Sequence, residues 1–197
     1  MANVFATLLD KASKQGIINT KTEEAREWFR KEASSVKRIN PESIIKQSPT
    51  TSSTSAIGKM FLFGYSPKHE KTLPYYDRFP LVFPFAKVPD GFYGINMHYL
   101  PPPMRAILMD GLYDYVIDSP LDANVKLKMT YRVLQSASKL RFFKPCVKHY
   151  LNNQVQTDMA QVPASLWDIA LFLPLERFAK ASKAQVYADS RIAVTRR

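Results

Sequence analysis

The strongest constraint on the fold is the stretch from Gly58 to Tyr115, where short aromatic and branched runs lead into a helical pattern. Turn-forming residues separate the runs, which cover residues 60–65, 79–85 and 92–99. The helical pattern follows immediately, because Pro102 or Pro103 suits a first helical turn. The stretch therefore predicts a small sheet that feeds directly into a helix.

Two prolines in the middle run predict its place in the sheet. Pro80 and Pro84 lack N–H groups on the same side of an extended chain, so a neighbour on that side would miss its donors. The run is therefore expected to be an edge strand, bonded only through Phe79, Leu81, Phe83 and Phe85. Prolines at an edge also discourage unwanted strand pairing.

The next turn predicts an antiparallel hairpin. Val88-Pro89-Asp90-Gly91 places proline second and glycine last, as a type I turn favours, so residues 79–87 and 92–99 should pair. Side chains alternate along a strand. The face expected toward the core carries Tyr93, Ile95, Met97 and Tyr99.

Helical and strand patterns along the rest of the chain complete an α+β fold: a small antiparallel sheet packed by several helices, with an N-terminal helical arm and an extended linker. Residues 168–173 have two interpretations, a returning strand that completes the sheet or a buried helical turn. Helices or helical turns are expected near residues 3–15, 102–117, 121–138, 145–151, 163–167 and 175–190. Another is expected to begin at Thr20, which has capping-box spacing to Glu23, or at Thr22, and to run to about residue 36.

The expected domain organisation is one compact body with appendages. A chain of 197 residues that is 46% hydrophobic can bury one core. The predicted parts are a helical arm at 1–36, a polar Ser/Thr-rich linker at 37–57, a single α+β domain at 58–190 and a basic tail at 191–197. The apolar stripe of the second helix either packs on that core or binds a partner. The residues proposed to dock the arm on a partner are Phe5, Leu8, Leu9, Trp28, Phe29, Ile44 and Ile45.

The net charge of +11 is spread unevenly. Residues 72–122 contain three bases and six acids, whereas residues 123–157 contain seven bases and no acid. Aromatic residues are interleaved with those bases, a pattern that suits either a phosphate backbone with stacked bases or an acidic protein surface. The candidate surface comprises Lys126, Lys128, Arg132, Lys139, Arg141, Lys144 and Lys148.

The sequence lacks the common catalytic signatures. There is no phosphate-binding glycine loop, nucleophile elbow or HExxH zinc motif, and the three histidines have no partner at ligand spacing. No metal, cofactor or small-molecule substrate is therefore expected. Asp110, Asp114 and Asp118 form a row that is typical of a solvated face or of a face that meets a basic partner. Cys146 is expected to be a buried, inert thiol, because Phe142, Phe143 and Val147 surround it.

The sequence also predicts the compartment. A single cysteine excludes an internal disulfide, Asp10, Lys11 and Lys14 interrupt the only stretch resembling a secretion signal, and no apolar run is long enough for a membrane span. The protein is therefore expected in a reducing cytosol, or assembled from it into something larger.

Several unusual motifs resemble a small protein of large contractile-tailed bacteriophages, the myoviruses. They include YSPKHEKTLPYYDRFPLVFPF, GFYGINMHYLPPPMRAILMDGLYD, SKLRFFKPCVKHYL and WDIALFLPLERFAKASKAQVYADS, and the similarity covers most of the chain except residues 40–57. The resemblance implies a virion or packaging protein, such as a neck, baseplate or DNA-end-protecting component. It implies a location in the virion and, during assembly, in the host cytoplasm.

Two functions are consistent with these observations. The first is a non-enzymatic structural component of the virion, at the neck, head-tail junction or baseplate, that links neighbouring subunits of a symmetric assembly through its arm, linker and tail. The second is a basic DNA-binding factor for packaging or for protecting DNA ends. An enzyme that uses Cys146 or the aspartate row is a more distant third hypothesis.

Overall fold

The fold is that of a computed structural model, which describes residues 4–17, 22–48, 50–51, 57–116 and 122–195. Within these ranges the helices are α1 (Val4–Lys14), α2 (Glu23–Ser35), α3 (Pro41–Gln47), α4 (Pro102–Val116), α5 (Ala123–Lys139), α6 (Trp167–Phe172) and α7 (Lys183–Thr195). The strands are β1 (Thr50–Thr51), β2 (Met60–Leu62), β3 (Tyr76–Asp77), β4 (Leu81–Val88), β5 (Gly91–Asn96), β6 (Val147–Leu151), β7 (Met159–Val162) and β8 (Phe178–Ala179). No helix of the described ranges is long and apolar enough to cross a membrane.

The strands form a small antiparallel sheet against which several helices pack. Its order is β1-β7-β2-β4-β5-β6, and β3 pairs separately with β8. This confirms the predicted α+β class, with helices gathered around one antiparallel sheet.

The predicted hairpin is confirmed. Strands β4 and β5 pair from Val82↔Asn96 to Val88↔Gly91, so Pro89 and Asp90 form the turn. Gly91 is needed for a second reason, since a Cβ atom there would lie 1.9 Å from the carbonyl oxygen of Tyr150 in β6. The glycine therefore allows the backbone of the next strand to approach closely.

The edge position predicted for the proline-containing strand is wrong. Strand β4 lies inside the sheet, between β2 and β5. Its pairing with β2 is short, through Leu81 and Val82 only, and further along the carbonyl oxygen of Pro84 accepts a hydrogen bond from the Gly58 N–H at 2.9 Å. Pro84 lies beyond the two residues of β4 that pair with β2, so no ladder hydrogen bond between these strands requires its missing N–H.

Hydrophobic residues are buried on both faces of the sheet. The larger core contains Ile95, Met97 and Tyr99, as predicted, and it also contains Leu108 and Leu112 of α4. A second cluster on the opposite face includes Phe92, with Phe61, Phe63, Tyr65, Val82, Tyr150 and Met159. Tyr93 was expected in the core but is 38% exposed, because β5 pairs with β6 there and the ring stacks on His149 instead.

The N-terminal helices belong to the larger core rather than to a separate arm. Of the two predicted starts of α2, Thr22 is the cap, because its hydroxyl accepts a hydrogen bond from the Ala25 N–H. The stripe of α2 packs on the chain's own core, which decides between its two interpretations. The expected extended linker contains helix α3, whose Asn40 cap and Pro41 start a helical turn. Residues 49 and 52–56 of the linker lie outside the described residues.

Three predicted elements of the C-terminal half differ in the structure. Residues 141–146 form a 3₁₀ segment and 147–151 form strand β6, where a short helix was expected. Residues 168–173 are mostly helix α6 rather than a returning strand, and β7 completes the sheet. The last helix begins at Lys183, later than predicted, because Phe178 and Ala179 pair with β3.

A fully buried arginine on α4 forms hydrogen bonds to α6, to α7 and to the segment between them. Arg105 of α4 is 1% exposed, and its guanidinium donates hydrogen bonds to the Leu100 and Leu171 carbonyl oxygens, the Glu176 carboxylate and the Tyr187 hydroxyl. Burial raises the pKa of Glu176, but the charge of Arg105 outweighs that effect and holds the pKa well below its ordinary value. The buried carboxylate is therefore ionised and paired.

Candidate nucleic-acid interface

The seven bases of the predicted surface lie on three consecutive elements, and five of them are exposed. Lys128, Arg132 and Lys139 are exposed on α5, and Arg141 and Lys144 are exposed on the 3₁₀ segment that follows. Lys126 and Lys148 are half-buried. The structure therefore brings five of the seven predicted bases to the surface in chain order.

The three exposed bases of α5 form a line on one face of the helix, which we call the basic stripe. Their spacings of four and seven residues return to nearly the same angle of a helix with 3.6 residues per turn. Thr130, Leu134 and Ala137 face the protein interior from the other side of α5. At about 1.5 Å per residue, the stripe is about 16 Å long, the length of roughly five base pairs of duplex DNA.

The basic stripe is electrostatically unneutralised within the part of the chain that the structure describes. No salt bridge there involves Lys128, Arg132, Lys139 or Lys144. Carboxylates instead pair with bases elsewhere, as in Asp110 with Arg26 and Arg30. The stripe therefore presents uncompensated positive charge, which attracts polyanions over a Debye length.

Lys148 does not belong to the exposed surface. Its ammonium lies 4.0 Å from the centre of the Tyr99 ring, in a cation–π contact. Burial lowers the pKa of this ammonium. Alternation along β6 explains the difference, because Lys148 is two residues from the buried Tyr150 and shares its side of the strand.

The aromatic residues that alternate with these bases are mostly unavailable for base stacking. Phe143 and Tyr150 are buried in the two cores, and Phe142 packs against the larger one. Tyr131 is half-buried, and its hydroxyl accepts a hydrogen bond from Gln135. The exposed basic surface consequently offers charge rather than stacking platforms.

Most of the residues proposed to dock an arm on a partner are buried in the chain's own core. These are Phe5, Leu8, Phe29, Ile44 and Ile45, while Trp28 is half-buried and only Leu9 is exposed, at 38%. The prediction that these residues dock on another molecule is therefore wrong: helix α2 packs on α6, and helix α3 packs on the sheet of the same chain. The N-terminal docking surface is therefore corrected to an internal one.

The aspartate row has a structural explanation where the structure describes it. Asp110 accepts hydrogen bonds from Arg26 at 2.9 Å and from Arg30 at 2.8 Å, which joins α4 to α2. The side chain of Asp114 and the whole of Asp118 lie outside the described residues. Within the described residues no group of three or more His, Cys, Asp or Glu side chains has the geometry of a metal site.

Cys146 is completely buried, and burial raises the pKa of its thiol to about 12. We expect no alkylation of the native protein at about pH 8, since only about one thiol in 10⁴ is ionised there and none is accessible. Mass spectrometry after iodoacetamide treatment measures the result, and the same protein in denaturing urea is the control. Rapid labelling of the folded chain would contradict the inert assignment.

A compact pocket was missed by the sequence analysis, and we call it the tyrosine pocket. Its volume is about 170 Å³, and it lies where the loop before β3 meets β5 and β6. Its lining includes Tyr65, Tyr75, Tyr76, Asp77, Asn96, Tyr99, Lys148 and Tyr150. The Tyr75-Tyr76-Asp77 sequence was a signal for it, but these residues were taken only as part of a turn.

Comparison with known proteins gives the family. A family model described as the phage T4 terminal DNA protecting protein matches residues 1–195. No curated protein and no solved structure matches the chain. The match covers both the basic stripe and the tyrosine pocket, and it confirms the resemblance to a protein of contractile-tailed phages. The chain therefore belongs to the family of phage T4 terminal DNA protecting proteins.

Proposed function

We propose that this protein binds the ends of linear double-stranded phage DNA and protects them by covering them. The observation that carries the proposal is the basic stripe, continued by Arg141 and Lys144, within a segment that contains seven bases and no acid. Phosphate contacts by exposed lysine and arginine supply sequence-independent affinity for DNA. The family match favours this second hypothesis over the first, a structural role in the virion.

The mechanism requires no chemical step by the protein. A duplex that lies along α5 places one strand's phosphates within reach of the stripe and displaces the counterions around them. A nuclease that starts at a terminus must then displace the protein before it reaches the terminal phosphodiester bond. Protection is thus a competition for the same end, and it increases with occupancy.

The test is digestion of linear duplex DNA by a double-strand exonuclease at about one protein per DNA end, a ratio that leaves most of the duplex interior, and most of a closed circle, unoccupied. We expect strong slowing of degradation of linear DNA, because occupied termini are inaccessible. Cleavage of a covalently closed circle of the same sequence by an endonuclease is the control, and it should be unaffected. Equal exonuclease rates with and without bound protein would exclude end protection.

A contact with other phage proteins has separate support from an apolar groove between α4 and α5. The groove has a volume of about 380 Å³, and Ile107 and Leu140 at its edge are 60% and 57% exposed. Single exposed apolar side chains are ordinary, but these two continue the apolar lining of the groove, and a contiguous apolar surface can mark a protein interface. A place in the neck, head-tail junction or baseplate, or in a symmetric assembly, stays a prediction.

The groove is tested by the Ile107→Glu and Leu140→Glu substitutions. We expect the double variant to be lost from purified particles, because charges in the groove prevent apolar docking. It should still bind linear DNA, with reduced affinity, because the groove borders Arg132 of the basic stripe. Quantitative mass spectrometry of particles measures the first result. Normal incorporation would remove the groove as an interface.

A further inference from the structure

The tyrosine pocket has the size and lining of a site for a single aromatic ring. Its volume of about 170 Å³ is close to the roughly 150 Å³ of a protein cavity that accommodates benzene. Tyr75 and Tyr76 are half-buried at its rim, and the Tyr75 and Tyr99 rings are 6.1 Å apart and tilted by 33°. Aromatic walls of this kind bind nucleobases by stacking, whatever the base.

The polar side of the pocket is held rigidly by a buried network. The Asp77 carboxylate accepts hydrogen bonds from His98 Nδ1 at 2.7 Å and from the Asn96 amide at 3.2 Å. Asn96 also donates to the Tyr150 hydroxyl at 3.0 Å. Since these groups are occupied by one another, the pocket keeps its shape without a ligand, and Asp77 is not free to bind a cation.

Lys148 gives the pocket an unpaired positive charge. Its ammonium is half-buried over Tyr99, and the described residues place no carboxylate within salt-bridge distance of it. A desolvated ammonium without an anion is costly, and the cation–π contact offsets only part of that cost. An anionic group of a ligand supplies such a partner, and an aromatic ring with an attached phosphate suits the Tyr75 and Lys148 side of the pocket, away from the Asp77 carboxylate, which is already bonded to His98 and Asn96.

The pocket lies at the end of the basic segment. Lys148 follows the exposed Lys144 by four residues, which span at most about 14 Å of extended chain. A duplex bound along α5 and the 3₁₀ segment can therefore present its terminus at the pocket. Only a terminal base can leave the stack at little cost, because an internal base must be unpaired and unstacked first.

We propose that the tyrosine pocket receives the terminal nucleotide of a bound DNA strand, with the base against the half-buried ring of Tyr75, which the buried Tyr99 supports from below, and a phosphate on Lys148. This inference rests on the proposed function, and it explains how the protein recognises a DNA end, which the basic stripe alone cannot explain. Phosphate contacts are the same along a whole duplex, whereas a pocket for one frayed nucleotide distinguishes an end from the interior.

The experiment compares a linear duplex with phosphorylated ends and a dumbbell of the same sequence whose ends are closed by hairpin loops. Wild-type protein should bind the linear form at least about fivefold more tightly, since stacking of one base is worth about 1 kcal/mol or more. Lys148→Met and Tyr75→Leu should each abolish that preference and leave dumbbell affinity unchanged. Tyr75→Phe, which keeps the ring and removes only its hydroxyl, should retain it.

Two controls distinguish recognition of DNA ends by the pocket from general binding to phosphates and from binding of free nucleotides. Lys144→Met removes an exposed base of the same segment, so it should weaken both substrates equally. Thymidine monophosphate is used as a competitor, and it should displace linear DNA only at concentrations near 1 mM, as expected for one stacked base and one ion pair. Tight binding of the free nucleotide without end preference would overturn the proposal in favour of a free-nucleotide site.

The remaining outcomes are also decisive. Equal wild-type affinity for the two substrates, or an end preference that survives both pocket variants, would overturn the pocket and leave DNA binding by the stripe intact. Binding to neither substrate would overturn the proposed function and this inference with it.

Discussion

Changing Lys128, Arg132 and Lys139 together to glutamate is expected to weaken binding to linear duplex DNA on the order of 10³-fold at about 50 mM salt. Each lost phosphate contact removes roughly one decade of affinity at that salt concentration, because fewer counterions are released. The three side chains are exposed and lie on one face of α5, so the fold should be unaffected. Fluorescence anisotropy against salt concentration measures the effect.

The salt dependence gives a second, independent measurement. If all five exposed bases contact phosphates, wild-type affinity should fall about 500-fold between about 50 and 200 mM salt, and the triple variant should show a much smaller decrease. The matched control is Lys31→Glu, Lys37→Glu and Lys46→Glu, which changes the net charge equally at exposed positions of the N-terminal region. Similar losses in both triple variants would mean that net charge, not the stripe, determines binding.

Replacing Arg105 with methionine should destabilise the protein by about 3–5 kcal/mol. The substitution keeps an apolar stem but leaves the Glu176 carboxylate buried beside only Tyr187 and the partly exposed Lys183. It also removes the donors of the Leu100 and Leu171 carbonyl oxygens. Urea unfolding at neutral pH measures the loss, and Asp10→Asn, in an exposed pair with Lys14, should change the free energy of unfolding by less than about 0.5 kcal/mol.

The same pair makes stability sensitive to acid. The pKa of Glu176 is lowered in the folded state, so its contribution is fully present above its ordinary value of 4.5 and is lost as the pH falls below it. In Glu176→Gln this part of the pH dependence should disappear, although neutral-pH stability also falls because Arg105 loses its counter-charge. An unchanged acid transition in that variant would contradict the assignment.

Local signals in the sequence were sufficient where one residue determines the backbone. Val88-Pro89-Asp90-Gly91 predicted the hairpin, and the prolines before Met104 predicted the start of α4. The two threonines before Glu23 predicted the start of α2 to within two residues. Local signals were insufficient for residues 168–173, because a six-residue apolar run has no period that separates a buried strand from a buried helix. The position of β4 was missed since the length of its neighbour β2, which decides whether a proline is tolerated, is a tertiary property.

The candidate site was also predicted only in part: its exposed bases were predicted, and its pocket was not. The exposed bases of α5 were predictable from the charge distribution. A helical segment with several bases and no acid cannot pair those bases internally, so some of them must lie in solvent. The charge distribution misplaced Lys148, whose burial depends on the ring of Tyr99 from another strand end. The tyrosine pocket was not predicted, since its walls come from segments as far apart as Tyr65 and Tyr150.

The packing of the N-terminal helices on α6 has a consequence for biosynthesis. Arg30 of α2 donates to Asp168 of α6, 138 residues later in the chain. Phe29 and Ala33 therefore lack the packing of α6 until the ribosome has added those 138 residues, which takes on the order of ten seconds. During that time the first helices expose apolar surface and are prone to aggregation, and this part of the core can form only after α6 has been synthesised.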